Sequence, residues 1–207
     1  MIALITGISK GFGNAFFNLH NKHMAIYGVS RNPNHERSFD YASFKNMPNP
    51  EVLILNAAIG DTGVEIDAFD AQAFENVLQV NLIQPITFFS ELNRLGKLEH
   101  LKSLIIVGSR FSSPTYIRDQ DLDQLPGYGY CLSKSGLSLF VNILRKEEKS
   151  FSVNIIHPGV LNTEMGSPEG LNAGDMARKF QSKILDNSFL QEFNGIYELP
   201  TDEIIPF

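Results

Sequence analysis

Residues 2–13, IALITGISKGFG, decide how the rest of the chain is read. Ile2, Ala3, Leu4 and Ile5 form a short unbroken apolar run, which predicts a strand buried on both faces. Gly7, Gly11 and Gly13 follow at once. Glycine at this density weakens helix and strand alike, so something there requires bare backbone. Phe12, Phe16 and Leu19 then recur at helical spacing and predict a helix over 11–23. A strand, a glycine-rich turn and a helix N-terminus in succession make an anion site. The free N–H groups and the positive end of the helix dipole face a phosphate, and missing Cβ atoms let it approach. The spacing G-x-x-x-G-x-G is not a Walker loop, because no Gly-Lys-Ser/Thr follows. Nor is it the tighter G-x-G-x-x-G of most dinucleotide folds. Alone, the loop points to a dinucleotide and says nothing about chemistry; a turn with incidental glycines is the plain alternative.

The same alternation runs through the whole chain. MAIYGVS (24–30), EVLILNAA (51–58), LKSLIIVGS (101–109) and FSVNIIHPG (151–159) read as further strands, and NGIYEL (194–199) as a last, edge strand. Helical periods cover 70–93, through Phe74, Val77 and Leu78, and 128–149, through Leu137, Phe140, Val141 and Leu144. A further helix is expected over 173–187, and IGDTG (59–63) is turn-like. The segment 33–50, with Pro33, Pro48 and Pro50, holds at most a short strand near Phe39 and a stub of helix. Apolar strands alternating with helices need crossover connections, hence a parallel sheet covered on both faces. The expectation is a Rossmann-type, doubly wound α/β fold in a single domain over 1–207.

Bulk properties narrow the function. Net charge is −6, which does not favour nucleic acid or an anionic membrane surface. A single cysteine rules out an intrachain disulfide and a thiolate zinc knuckle, and no metal site is expected. The opening apolar run is too short for a signal-peptide core, and no run approaches transmembrane length, so a cytoplasmic protein is expected.

Tyr130 and Lys134, in YCLSK (130–134), are four residues apart and share a helix face that continues through Leu137 and Val141. A tyrosine, with an ordinary pKa of about 10, is a poor acid or base near neutrality unless a neighbouring cation stabilises the phenolate. A tyrosine and lysine heading an inward stripe suit that chemistry; a snorkelling lysine beside a core tyrosine is the bland alternative. Ser109 ends a strand at the sheet edge where open α/β folds place their sites. Asn81 sits where the stripe of Phe74, Val77 and Leu78 calls for an apolar residue, and Pro85 cannot donate to its carbonyl. That carbonyl could hold a water, or the proline could merely kink the helix. At the tip of the second strand, where the adenosine ribose is read, stand Ser30 and Arg31 and no acid before Glu36. With Lys10 in the glycine loop, these cations favour a 2′-phosphate and therefore NADP(H) over NAD(H), unless both are ordinary solvated charges.

Four motifs in order, the glycine loop at the N-terminus, NAAIG (56–60), YCLSK (130–134) and HPGVLNT (157–163), resemble the short-chain dehydrogenase/reductase family over nearly the whole chain. The resemblance implies a catalytic set of Tyr130, Lys134, Ser109 and Asn81, with Ser112 and Ser113 as runners-up to Ser109. It implies that Asn81 serves a proton relay to Lys134. Around the cofactor it places Gly7, Ser9, Lys10, Gly11, Phe12 and Gly13 in the loop, and Ser30 and Arg31 at the second strand. It adds Asn56 and Ala57, with Asp40 at the adenine edge. Tyr130 and Lys134 also line this site. Pro158, Gly159, Val160 and Thr163 would turn the chain beside the nicotinamide. His157 is expected to pack rather than to catalyse.

The sequence departs from the family in three places. Leu55-Asn56-Ala57-Ala58 replaces Asn-Asn-Ala-Gly, so Ala58 puts a methyl where backbone usually packs. The segment 33–50 is short enough to lack a covering helix. The stretch 110–128 is long and acidic; with 164–176 it is expected to form the substrate loops, and its acids to disfavour an anionic substrate. The ending NGIYELPTDEIIPF is similar to small carbonyl reductases of the C-factor type. The implied activity is NADPH-dependent hydride transfer to a small ketone or aldehyde, or the reverse alcohol oxidation. The alternative is a cofactor-binding regulatory or signalling protein with little turnover. The expected partner is a small-molecule carbonyl or alcohol, and homo-oligomerisation is left open.

Overall fold

A computed structural model describes residues 1–19, 21–60, 66–147 and 149–207. The strands are β1 (Ile2–Thr6), β2 (Ala25–Val29), β3 (Ser38–Phe39), β4 (Val52–Leu55), β5 (Ser103–Val107), β6 (Ser152–His157), β7 (Ile196–Glu198) and β8 (Glu203–Ile205). They form one sheet in the order β3-β2-β1-β4-β5-β6-β7-β8, parallel except for the β7–β8 pair. The helices are α1 (Gly11–Phe17), α2 (Ala71–Leu78), α3 (Gln84–Arg94), α4 (Pro114–Arg118), α5 (Tyr128–Leu144) and α6 (Ala173–Leu185).

Strand alternation divides the apolar runs between two cores. Ala3, Ile5, Ile54, Ile105 and Ile156 face α1 and α6 through Phe12, Phe16, Phe180 and Ile184. Leu4, Leu53, Leu104, Ile106 and Ile155 face α3 and α5 through Phe88, Leu92, Leu137 and Val141. This double cover is why the strands read as continuous apolar segments. The expected doubly wound, Rossmann-type single domain is the fold observed.

Several local expectations change. The helix expected over 11–23 stops at Phe17, and Asn21 instead accepts from His23 N at 2.8 Å in a side-chain turn that starts β2. The helix over 70–93 is there, capped by Asp70, but a π turn (Gln79–Ile83) interrupts it. Pro85 lies just beyond; without its N–H the regular bond pattern cannot pass Asn81. The helices over 128–149 and 173–187 end at Leu144 and Leu185. NGIYEL is not an edge strand: Tyr197 pairs with Ile156 on one side and with Ile204 on the other, so β8 is the edge. Neither connection around β3 carries an α-helix, which accounts for the illegible 33–50. The expected loop 110–128 is largely helical, with short 3-10 turns at Arg110–Ser112 and Leu122–Gln124 flanking α4. The expected loop 164–176 runs into the first turn of α6. Part of IGDTG, residues 61–63, lies outside the described residues.

Candidate active site

A parallel sheet delivers all its strand ends to one edge. Here the C-terminal ends of β1, β2, β4, β5 and β6 bring Gly7, Ser30, Asn56, Ser109 and His157 there. Gly7 adopts φ +76, which other residues avoid, and a Cβ on it would lie 2.6 Å from Ala57 Cα. A Cβ on Gly13 would lie 3.1 Å from the Gly7 carbonyl carbon and closer still to its oxygen and to Asn56 Nδ2. Asn56 Nδ2 donates to Thr6 O at 2.9 Å and Gly7 O at 3.2 Å. The Thr6 hydroxyl accepts from Asn56 N at 3.0 Å and Ala57 N at 3.1 Å. Two of the three glycines are therefore bare so that the β1 and β4 turns and α1 can meet. Gly11 alone opens outward: it has φ +63, and its Cβ would find only Thr163, at 3.7 Å. Thr6, missed in the sequence, stood in plain view before Gly7.

The remaining loop residues divide by direction. Ser9 is exposed, and Lys10 is ion-paired with Glu164, which ties the glycine loop to the segment after β6. Phe12 does not face the cleft; its ring packs on Phe180, 5.6 Å between centroids, so only its backbone is left for a ligand. Pro158 is buried, and Gly159, at φ +89, has Pro200 and Leu171 where a Cβ would go. Val160 is 40% exposed at the surface of the same turn.

At the far end, Ser30 is buried, with its N–H on Phe39 O at 3.0 Å, and Arg31 is exposed. No acid among the described residues pairs with Arg31. Tyr41, which the sequence reading missed, lies beside Thr6; burial pushes its phenol up to about 12, against the pull of Thr6 and nearby Arg31. Asp40 is spent locally, accepting from Ala42 N at 2.8 Å and Ser43 Oγ at 2.9 Å.

The structure brings Ser109, Tyr130 and Lys134 together. Ser109 is buried and close enough to the Tyr130 phenol to favour its ionised form. The runners-up are committed elsewhere: Ser112 donates to Ser109 O at 2.6 Å, and Ser113 caps α4 by accepting from Tyr116 N. Lys134 is 2% exposed, and its Nζ donates to Val107 O at 2.9 Å, 5.6 Å from the Tyr130 ring centroid. Burial lowers the ammonium to about 8. Burial also raises the Tyr130 phenol, and the Ser109 side chain draws it part of the way back. Lys134 is thus charged at neutral pH, and the phenol holds its proton.

Asn81 is fully buried in the π turn. Its Oδ1 accepts from Ile59 N at 2.8 Å, while Nδ2 donates to Ile59 O at 2.9 Å and reaches Ser133 Oγ at 3.3 Å. Ser133 in turn donates to Tyr130 O at 2.8 Å. The side chain therefore clamps the β4 turn to α5.

Serine, tyrosine and lysine at this edge, beside a glycine turn, define a dehydrogenase-type site. The chain matches the family model of short chain dehydrogenases over residues 40–173, and it belongs to that family, whose oxidoreductases work with nicotinamide dinucleotides. A carbonyl reductase from Pseudomonas aeruginosa PAO1 in complex with NADP superposes with a TM-score of 0.78 at 19% identity, covering 100% of this chain and 99% of that one. The carbonyl reductase Sniffer of D. melanogaster does so at 0.73 and 21%, covering 99% and 98%. The short chain dehydrogenase from Shigella flexneri gives 0.78 and 16%, covering 100% and 92%. No functionally curated protein matches the sequence. Among the described residues no helix is long and apolar enough to cross a membrane, and no cluster of His, Cys, Asp and Glu could hold a metal.

Proposed function

We propose that this protein is an NADPH-dependent carbonyl reductase, with Tyr130 as the proton donor. The observation that carries the reading is the meeting of Ser109, the Tyr130 phenol and a buried ammonium at the sheet edge that also holds the glycine turn. The residues fit a dinucleotide: Gly11 presents unobstructed left-handed backbone, and no acid among the described residues pairs with Arg31. Bound NADPH supplies a hydride to the carbonyl carbon.

The chain's own groups do the rest. The Ser109 hydroxyl donates to the substrate oxygen and holds it against Tyr130. The Tyr130 O–H breaks and its proton passes to that oxygen as negative charge builds, leaving an alcohol and a phenolate. The Lys134 ammonium, held one helical turn away, stabilises that phenolate and lowers the cost of the transfer. Arg31 receives the 2′-phosphate, while Gly11, Ser9 and the backbone of Phe12 face the pyrophosphate. Lys10 reaches the same phosphates by releasing Glu164, an exposed pair worth little. Gly7, Gly13, Asn56 and Ala57 act by holding the turn in shape. Pro158, Gly159, Val160 and Thr163 form the wall on the nicotinamide side.

Tyr130→Phe decides the matter. It is expected to abolish NADPH oxidation with aldehydes and ketones while leaving NADPH fluorescence titration within about threefold of wild type, since a phenol-to-phenyl change removes chemistry and not packing. Full turnover in that variant overturns the assignment, and saturable NADPH binding by wild type without turnover of any carbonyl favours the regulatory alternative.

A further inference from the structure

Arg110 and His157 are polar groups at this edge that the reduction does not use. Arg110 directly follows Ser109, and His157 ends β6. The two stretches run side by side, with Gly108 N donating to Ile156 O at 2.8 Å. Strand alternation turns His157 to the face of Val153 and Ile155, the one that α5 covers and on which Lys134 lies. His157 is 6% exposed, and among the described residues neither ring nitrogen has a hydrogen-bond partner; buried Arg110 Nε has none there either. Buried polar atoms are seldom left unpaired, so these three wait for acceptors and donors that the described residues do not supply.

Charge identifies the missing partner. Lys134 is bonded to a carbonyl, and the Arg110 guanidinium lies over the Tyr116 ring at 5.4 Å. No carboxylate among the described residues pairs with either cation, in a chain of net charge −6. The acids expected to repel an anion do not offset this. Asp119 is paired with Arg118, while Asp121 and Asp123 point to the exposed side of the segment. We propose that the carbonyl substrate carries a carboxylate, which Arg110 and the neutral imidazole of His157 receive. The substrate class is then an oxo acid, a choice that rests on the reduction site assigned above. A neutral ketone would leave both the orphaned atoms and the guanidinium unpaired.

The test compares acid with ester on one skeleton: phenylglyoxylate and 4-carboxybenzaldehyde, each against its methyl ester, followed by NADPH oxidation. Wild type is expected to favour the acid of at least one pair by about tenfold to a hundredfold in kcat/KM, the range of a charge-assisted contact. In Arg110→Gln that ratio should fall to near one, mainly through KM, and Arg110→Lys should restore part of it. Equal use of acid and ester by wild type, or an unchanged ratio in Arg110→Gln, overturns the proposal. Titration calorimetry with the same acids and NADP⁺ present gives a readout without turnover. Saturable binding that Arg110→Gln weakens at least tenfold sustains the anion site even if no carbonyl is reduced, in which case only the reductase reading falls. No binding of either acid overturns the anion site.

Discussion

Replacing Gly13 by alanine separates two explanations for the glycine loop. If the glycines exist only to let a phosphate approach, the substitution should harm nucleotide binding and leave the ligand-free fold alone. The structure places the damage elsewhere. A Cβ on Gly13 would press on the Gly7 carbonyl, 3.1 Å from its carbon, and on Asn56 Nδ2. Neither can retreat cheaply. The carbonyl belongs to a turn fixed by Gly7 N on Val29 O at 2.8 Å, and Asn56 Nδ2 is held by Thr6 O at 2.9 Å. Overpacking of this kind costs about 1–3 kcal/mol, and a displaced Asn56 forfeits about 1 kcal/mol more per hydrogen bond. A total of roughly 3 kcal/mol should lower Tm by about 6–12 °C for a chain of this size. Gly11→Ala is the control. Its methyl meets nothing nearer than 3.7 Å, so only the left-handed backbone is penalised, by about 1–2 kcal/mol. Urea unfolding of both variants without nucleotide, then NADPH titration, distinguishes the cases. Gly13→Ala should lose more stability and Gly11→Ala more affinity relative to stability. A Gly13→Ala protein as stable as wild type would refute the packing argument.

Two further outcomes follow from electrostatics. Arg31→Asp should raise the Kd for NADPH by about tenfold to a hundredfold while NADH changes little, since a guanidinium–phosphate contact is replaced by like-charge repulsion; equal effects on the two nucleotides would remove Arg31 from the phosphate. Because burial holds Lys134 at about 8, kcat/KM for reduction should fall as pH rises through that value. The same group's contribution to folding stability should change in the opposite sense. Between about 8 and the ordinary lysine value the unfolded chain keeps the proton that the folded chain has lost, so stability rises with pH across that window. Lys134→Met should abolish both trends, and a pH–rate profile flat through this range would exclude the ammonium.

What the sequence made legible was whatever depends on period and order. Fully buried strands show as apolar runs because both faces are covered, and Tyr130 and Lys134 show as a pair because one helical turn separates them. What it hid depends on contacts between distant segments. That Gly7 and Gly13 are bare for Ala57, Asn56 and each other requires knowing that β1 and β4 are neighbours. Tyr41 follows a two-residue strand too short to give a pattern, so its place beside Thr6 left no trace. Phe12 sits in a motif that suggested ligand contact, but its helical spacing with Phe16 already marked it as core. The segment 110–128 reads as a loop from its acids and turn residues, because α4 and two 3-10 turns are too short to give a period.

Asn81 shows which part of a residue's setting period and order can reveal. Its polarity on an apolar stripe and the proline four residues later marked it, and both features are realised in a π turn. The carboxamide, on which the pattern is silent, is engaged at both of its polar atoms. Oδ1 and Nδ2 are both taken by the Ile59 backbone, and the second Nδ2 hydrogen faces Ser133. The π turn therefore does two separate things. It aims a side chain that locks the β4 turn, and hence the packing around Gly7, to the helix bearing Tyr130. It also places the Asn81 carbonyl opposite Pro85, which has no N–H to give it, so the i+4 bond of a regular α-helix cannot form there.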